Sequence, residues 1–513
     1  MSVKTSVRLS REEIAKIEIG HTEVTTAQKI TLTVLFIATI TVYPICQFFS
    51  HQPFADWRNT GEILSSIKAY ETAIEDNSLL RRWLLAPAQR FLTGVFHTGN
   101  EKVIVGNDGW LFFSGDYEYL VNPGFLNAEV LGKRQQKGVQ PDPVKAISDF
   151  NRQLKNRGIR LILLPVPVKP MLYADKLHSS ACPLQNPSFE EFKKRLADEG
   201  IKVVDPVEML AALRRSGGET YLKTDTHWTP EAMEAVAHLT ARAVKADTAA
   251  PKISSRRPVT NLGDIAAMLK RPDCEKFFPS ETVKVADYKH RPNSSSEVLL
   301  LGDSFANIYS LGAMKWGENG GFAEALGACL GAPVDALLRN DAGAFATRQL
   351  LAGDLKRGRD RLAGKKFVIW EFAIRELANG DWKIIELPPV KTADGKKTAK
   401  KPQVSGNAAA GTRTVNATVL KISTVPRPNS APYKDHVVSI HLAVDNGNKV
   451  LVYAVSMRDN IWTDAAKLRA GDKIRIRLEP WEKREAEFGS WNRSEFDDEE
   501  LLLAEPLFGT LEK

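Results

Sequence analysis

Cysteine is scarce, with four in 513 residues. Cys46 falls inside an apolar stretch, which leaves Cys182, Cys274 and Cys329. So few thiols exclude a disulfide-built scaffold, and their spacing fits no zinc pattern, so neither a metal nor another cofactor is expected. In an oxidising compartment Cys182 and Cys274, both in loop-like, proline-containing sequence, are the expected pair. Basic runs interleaved with aromatics are also missing. The net charge of +8 is modest for this length, which leaves nucleic-acid binding without support. Composition is that of an ordinary globular protein, 43% apolar and 26% charged, long enough for several domains.

Charge is missing altogether between Ile30 and Phe49. The stretch is almost wholly apolar or threonine, and about 20 such residues match a bilayer core. It lacks a small-residue cleavage site, so residues 30–50 are expected to be an uncleaved transmembrane signal anchor. Arg8, Arg11, Lys16 and Lys29 precede it, while only Arg58 follows closely. That asymmetry places residues 1–29 in the cytoplasm and the rest across the membrane, in the periplasm of a Gram-negative host.

Residues 51–100 read as a helical lead-in, with Leu79, Leu80, Trp83, Leu84 and Leu85 at helical spacing. Lys102 to Phe113 reads as a hairpin around Asn107-Asp108-Gly109. Apolar strands then alternate with amphipathic helices: a helix from Val144 to Arg157, a strand at 159–166, a helix at 189–198 and a strand at 201–204. Thr229 is a good N-cap, with Pro230 at the first helical position. After a polar insertion come strands at 298–301, 334–338 and 367–372. This alternation implies an α/β domain over residues 101–387, a parallel sheet with helices on both faces. Residues 388–413 are proline-, glycine- and lysine-rich without periodicity and read as a flexible linker. Residues 414–513 are β-rich and read as a small OB-like or sandwich-like accessory domain.

Two stretches carry chemistry. Val298-Leu-Leu-Leu-Gly-Asp-Ser304 reads as a buried strand ending in a turn, with Ser304 at its carboxyl end, where open parallel sheets bind ligands. A serine needs a base, and the base an orienting group. Asp225-Thr-His227 supplies both: in an extended segment the two side chains project to one side, and the carboxylate selects the tautomer that leaves the other nitrogen free. The alternative is an ordinary turn beside a solvated histidine.

Asp225-Thr-His227-Trp228 followed by Gly302-Asp303-Ser304-Phe305, with Ser304 77 positions after His227, resembles the permuted SGNH-type domain of the alginate O-acetyltransferase family. Gly109-Trp-Leu-Phe112, Pro165-Val-Pro-Val-Lys-Pro170 with Met171-Leu-Tyr173, and Val368-Ile-Trp-Glu-Phe372 with Arg375 agree with it in the same order, over residues 75–385. The resemblance implies an SGNH-like α/β fold at 101–387. It implies acetyl transfer to an exported polysaccharide through an acetyl-serine on Ser304, with His227 as general base and Asp225 as its orienter. The implied partners are the polysaccharide, a multi-pass membrane acyltransferase as donor and an exopolysaccharide synthase complex. For the oxyanion, the Ser304 N–H comes first, with Asn340 and Arg348 as further candidates, and Trp228 is the candidate sugar-stacking surface. A deacetylating esterase with the same three residues and a non-catalytic scaffold are the competing readings.

Overall fold

The computed structural model describes residues 25–50, 79–177, 183–246, 255–271, 273–340, 343–388, 412–426, 434–445, 447–489, 491–494 and 504–512, with a few single positions besides. It divides into two compact units, Met1–Leu85 and Ala86–Lys513. In the first, the expected anchor folds as a helix, Thr26–Ser50, with Ile30, Leu32 and Phe36 exposed. Among the described residues, no helix is long and apolar enough to cross a membrane. Most of the segment 1–29, the lead-in from 51 to 78 and the linker from 389 to 411 lie outside the described residues.

The second unit begins within a helix, Leu79–Phe96, and then forms the expected hairpin, β1 (Val103–Val105) against β2 (Leu111–Phe113). Its turn needs left-handed backbone at Asp108 (φ 56°) and Gly109 (φ 79°), which a short polar side chain and glycine tolerate. The central sheet is wholly parallel: β3 (Arg160–Val166), β4 (Lys202–Val203), β7 (Val298–Gly302), β8 (Asp335–Leu338) and β9 (Phe367–Ala373), in the order β4-β3-β9-β7-β8. β7 and β9 are buried along their whole length, as the continuous apolar runs require when helices cover both faces. The helix Pro143–Lys155 starts on Asp142, whose carboxylate accepts from Val144 and Lys145 N–H, and it buries Ile147, Phe150 and Leu154. Thr229 caps the helix Pro230–Val244 as its sequence requires, accepting from Ala232 N–H.

The polar insertion is not featureless. It holds an antiparallel ribbon, β5 (Ser255–Asn261) on β6 (Glu281–Asp287). β5 carries one apolar side chain other than proline, Val259, so hydrophobic alternation had nothing to report. The proposed Cys182–Cys274 pair is corrected at one end. Cys274 is a free, buried thiol that donates to the Ala266 carbonyl, packed with Ile265, Met268 and Phe278. Cys182 lies outside the described residues.

The β-rich C-terminal region forms the long strands β10 (Arg413–Ile422), β11 (His436–Val444), β12 (Lys449–Arg458) and β14 (Lys473–Pro480). Short β13 (Ile461–Trp462) and β15 (Asn492–Ser494), and the final β16 (Leu507–Glu512), complete the sheet. β12 pairs with both β11 and β16, so β11-β12-β16-β14-β10 close on themselves into a barrel. Closure removes edges that would otherwise invite pairing.

The turn after β7 is locked to its neighbour strand. Asp303 Oδ1 accepts from Phe305 N–H at 2.8 Å, capping the helix Ser304–Asn307, and Oδ2 accepts from Ala373 N–H at the end of β9 at 2.7 Å. Asp303 N–H in turn donates to Glu371 Oε2 at 2.9 Å. Burial and the neighbouring Asp303 push the Glu371 carboxyl well above its usual range. A Cβ at Gly302 would meet Glu371 Oε2 at 2.7 Å, and glycine is required there. Replacing Asp303 with alanine removes a cap and leaves the Ala373 N–H unpaired. Asp303→Ala is therefore expected to lower stability by about 2–3 kcal/mol, read as a shift of the urea unfolding midpoint.

Candidate active site

Asp225 and His227 occupy a looped segment between Tyr221 and Trp228, which pair as an isolated antiparallel bridge. Leu222 N–H donates to His227 O and Thr229 N–H to Thr220 O, closing the loop's neck. Its tip is held from three sides. Glu281 accepts from Lys223 and Thr224 N–H and from the Thr224 hydroxyl. Thr224 O accepts from Ala266 N–H, and Lys223 O accepts from Leu111 N–H. The buried Lys169 ammonium donates to Leu111 O at 2.7 Å and Lys223 O at 3.1 Å. Gly263 lies so close that a Cβ there would sit 2.2 Å from Thr224 C and O.

The pair forms, but not by the extended geometry expected. The segment bends, and Asp225 Oδ1 accepts both from His227 N–H at 3.1 Å and from Nδ1 at 2.6 Å. An Asp side chain folding onto the amide two residues on is a turn-forming bond, and here it also aims the imidazole. Oδ2 accepts from Asp264 N–H at 3.0 Å and from Trp316 Nε1 at 2.8 Å. Four donors thus converge on one buried carboxylate.

These partners set the charges. Burial opposes ionisation of Asp225, but the His227 charge and its hydrogen bond, with the other donors, outweigh it and hold the carboxyl at about 2. Burial likewise opposes protonation of His227, but the charge and hydrogen bond of Asp225, then Asp264 and Asp303, leave its pKa above the ordinary imidazole value. Asp264 is the carboxyl displaced upward, to about 6, by burial and then by the Asp225 charge. It accepts from Thr226 N–H at 2.7 Å and the Thr226 hydroxyl at 2.6 Å, and its Oδ2 lies 3.9 Å from His227 Nδ1. Burial lowers Lys169 to about 8, against the pull of Asp225, Asp264, Glu281 and Asp116. Ligand atoms of Asp225, His227 and Asp264 come within 4.8 Å of one another, close enough to hold a metal ion. The oxygens of Asp225 and Asp264 are, however, directed at the N–H and O–H donors just named, which makes the set a hydrogen-bonded cluster.

Ser304 opens the short helix that leaves β7, and it is nearly buried. The next residue ties the two stretches together: the Phe305 ring lies 4.8 Å from the His227 ring, and Phe305 O accepts from Trp228 Nε1 at 3.1 Å. Tyr309 OH donates to Trp228 O at 2.7 Å, a second tie between the same segments. His227 Nε2, the nitrogen turned away from Asp225, is buried and without a hydrogen-bond partner.

The remaining candidates are distributed differently. Asn340 sits beside the serine helix, its Oδ1 accepting from Asn307 Nδ2 at 2.7 Å. Arg348 lies in the layer between sheet and helices, with its guanidinium over Trp370 (4.6 Å) and Phe150 (5.9 Å). Burial lowers it to about 9, and its Nε and Nη2 have no hydrogen-bond partner. Trp228 has no accessible surface; its ring lies against Phe305 and Phe322. Asp264, Trp316 and Asn307 carried no local pattern in the sequence, and Lys169 was marked only as part of the Pro165–Pro170 stretch, without a role. Gly263-Asp264 reads as a plain turn, and Trp316 stands among glycines and charges.

Asp264 offers a direct check on these electrostatics. At pH above about 6 it is ionised and helps to hold the proton on His227. In Asp264→Asn the acid limb of the kcat/KM profile is expected to move to lower pH. The accompanying fall in kcat should stay within about tenfold, short of the 10²–10⁴ that a general base itself contributes. An unmoved limb would show that Asp264 does not act on His227.

The family described as SGNH hydrolase-like domain, acetyltransferase AlgX, matches residues 103–374. The chain is similar to the probable alginate O-acetylase AlgJ of Pseudomonas aeruginosa, 28% identical over 173 residues. That match spans 33% of this chain and 40% of the relative, less than half its length. The Pseudomonas fluorescens protein of the same name is 24% identical over 295 residues, 55% of this chain and 70% of that one. Among solved structures, the O-acetyltransferase domain of Pseudomonas putida AlgJ matches at a TM-score of 0.40 and 22% identity, covering 54% of this chain and 92% of that one.

Proposed function

Because this chain belongs to the family of SGNH hydrolase-like domains described as acetyltransferase AlgX, we propose that it transfers acetyl groups to hydroxyls of an exported polysaccharide. The observation that carries the chemistry is the buried Asp225–His227 pair, whose imidazole, with Nε2 free, packs against Phe305, the residue that follows Ser304. In this reading the Ser304 hydroxyl attacks the carbonyl carbon of the acetyl donor while His227 Nε2 takes its proton. The tetrahedral oxyanion is met by the Ser304 N–H, with Asn340 beside it and Arg348 as the more distant candidate. Collapse expels the donor's leaving group, which receives the proton from His227, and leaves acetyl-Ser304. A sugar hydroxyl then gives its proton to His227 and attacks the acetyl-serine, and collapse releases the acetyl sugar and restores Ser304.

The names of the relatives support an exopolysaccharide as acceptor, alginate among the choices. The proposal includes a catalytic domain over 101–387, a linker over 388–413 and an accessory barrel over 414–513. It also includes an anchor at 30–50 that keeps the catalytic domain on the periplasmic side of the inner membrane. There a multi-pass acyltransferase and the polysaccharide synthase complex supply donor and acceptor. The test is the intact mass of the full chain exposed to a small activated acetyl ester. A transient acetyl adduct that is discharged onto oligosaccharide supports the transferase. Discharge onto water alone would make the protein an esterase, and a folded chain with neither adduct nor turnover would make it a scaffold.

A further inference from the structure

The helix Leu79–Phe96 is amphipathic in the reverse sense to a packed element. From Ala86 onward, its buried positions are polar: Gln89 and Thr93. Gln89 Nε2 donates to the Thr93 hydroxyl at 2.8 Å and to Gly99 O at 3.3 Å, and Thr93 donates to Thr98 O at 3.1 Å. The side chains left in solvent are Phe91, Leu92, Val95 and Phe96, with Phe91 and Phe96 57% and 61% exposed. A helix at the surface of a folded unit normally buries its apolar stripe and shows its polar one. Large apolar side chains gain free energy when taken out of water, so a face of this size calls for a cover.

The face extends beyond the helix. Arg90 Nε lies 3.4 Å from Asp273 Oδ1, and Arg271 reaches from beneath Gly94 to the ring of Phe277, 3.5 Å from its centroid. Phe277 is itself nearly half exposed. Asp273, at this seam, is met by both Arg90 and Arg271.

Charge identifies the cover. Leu79–Phe96 contains Arg81, Arg82 and Arg90 and not one acidic residue, and it carries Trp83 upstream of the phenylalanines. Of these, Arg90 lies at the aromatic and aliphatic face with Arg271, a combination that matches an anionic headgroup layer lying over acyl chains. The helix begins 29 positions after Ser50, just past the uncharged stretch. We propose that the Phe91–Phe96 face, with Phe277, is an interfacial docking surface for anionic phospholipid. Its aromatic side chains enter the headgroup–acyl boundary while the arginines meet phosphates. The inference rests on the reading of residues 30–50 as an anchor, and it adds a second contact that orients the catalytic unit on the bilayer instead of leaving it on a tether.

The experiment is hydroxyl-radical footprinting of the full chain, with Ile461 in the C-terminal barrel as the exposed reference (70% exposed). The chain is reconstituted into vesicles of phosphatidylethanolamine with phosphatidylglycerol, and separately into phosphatidylcholine. Flotation comes first: a chain that does not float removes the anchor reading and this inference with it, without touching the acetyl-transfer chemistry. In the floated fraction, oxidation of Phe91, Phe96 and Phe277 relative to Ile461 is expected to fall at least about fivefold in the anionic vesicles and less in phosphatidylcholine. In Phe91→Glu/Phe96→Glu, Phe277 is expected to regain its labelling while turnover of a soluble acetyl ester stays at the wild-type level. Labelling at the reference rate in both vesicles would overturn the proposal. So would protection that appears without lipid and grows with protein concentration, which would make the face a contact between copies of this chain.

Discussion

Ser304→Ala is expected to give no acetyl adduct and to lower turnover of an activated acetyl ester by about 10³-fold or more, with the unfolding transition unchanged. The size of the loss follows from where the serine sits. Ser304 is the first residue after the Asp303 cap, so removing its hydroxyl leaves both cap bonds, to Phe305 and Ala373, untouched. The turn and the buried strand beneath it remain, while the one oxygen able to form an ester there is gone. What survives is whatever His227 achieves by activating water. A variant that keeps its adduct would place the nucleophile elsewhere. One that loses activity and unfolds would say nothing of chemistry, which is why mass and unfolding are measured on the same sample.

Asp225→Asn is expected to cost about as much, on the order of 10⁴-fold in kcat, for a different reason. Two donors reach each carboxylate oxygen: His227 N–H and Nδ1 on Oδ1, Asp264 N–H and Trp316 Nε1 on Oδ2. An amide supplies one acceptor and one donor, so either orientation points its NH₂ at two N–H groups. If the NH₂ faces Asp264 and Trp316, two buried donors lose their acceptor. If it faces His227, Nδ1 must accept, the proton moves to Nε2, and the base is lost. Loss of the depressed carboxylate also removes the main influence raising His227, so any residual activity should show its acid limb at lower pH than wild type. Stability should fall too, by about 2–4 kcal/mol, because the lost bonds are buried. Wild-type turnover in Asp225→Asn would remove the orienting role.

Much of this was open to reading along the chain. The strands at 160–166, 298–302 and 367–373 are apolar runs too short for helices and bounded by turn residues, and all three pair in one parallel sheet. Thr229-Pro230 announced its helix because capping is local physics: a hydroxyl reaching the amide three residues on. Asp225 and His227 are two residues apart, so their contact needs no knowledge of the fold. The ribbon at 255–287 was missed because its strands are held by backbone bonds at a polar surface, where side-chain periodicity leaves no trace. Trp228 was offered as a stacking surface because an aromatic beside a candidate base is conspicuous. Burial, which sequence does not report, makes it a strut between Phe305 and Phe322 instead.

What the sequence by itself determined is therefore the set of parts: a parallel α/β core, a β-rich C-terminal region, an uncharged N-terminal stretch, and the Asp-x-His and Gly-Asp-Ser motifs. Each depends on interactions within a few residues. Only the tertiary structure decided that Asp264 and Trp316, 39 and 91 positions from Asp225, complete the coordination of its second oxygen. It alone closed the C-terminal strands into a barrel and turned the apolar side of Leu79–Phe96 outward. Contacts between segments so distant are set by how the sheet brings its loops together, and no local preference records which donor will meet a given lone pair.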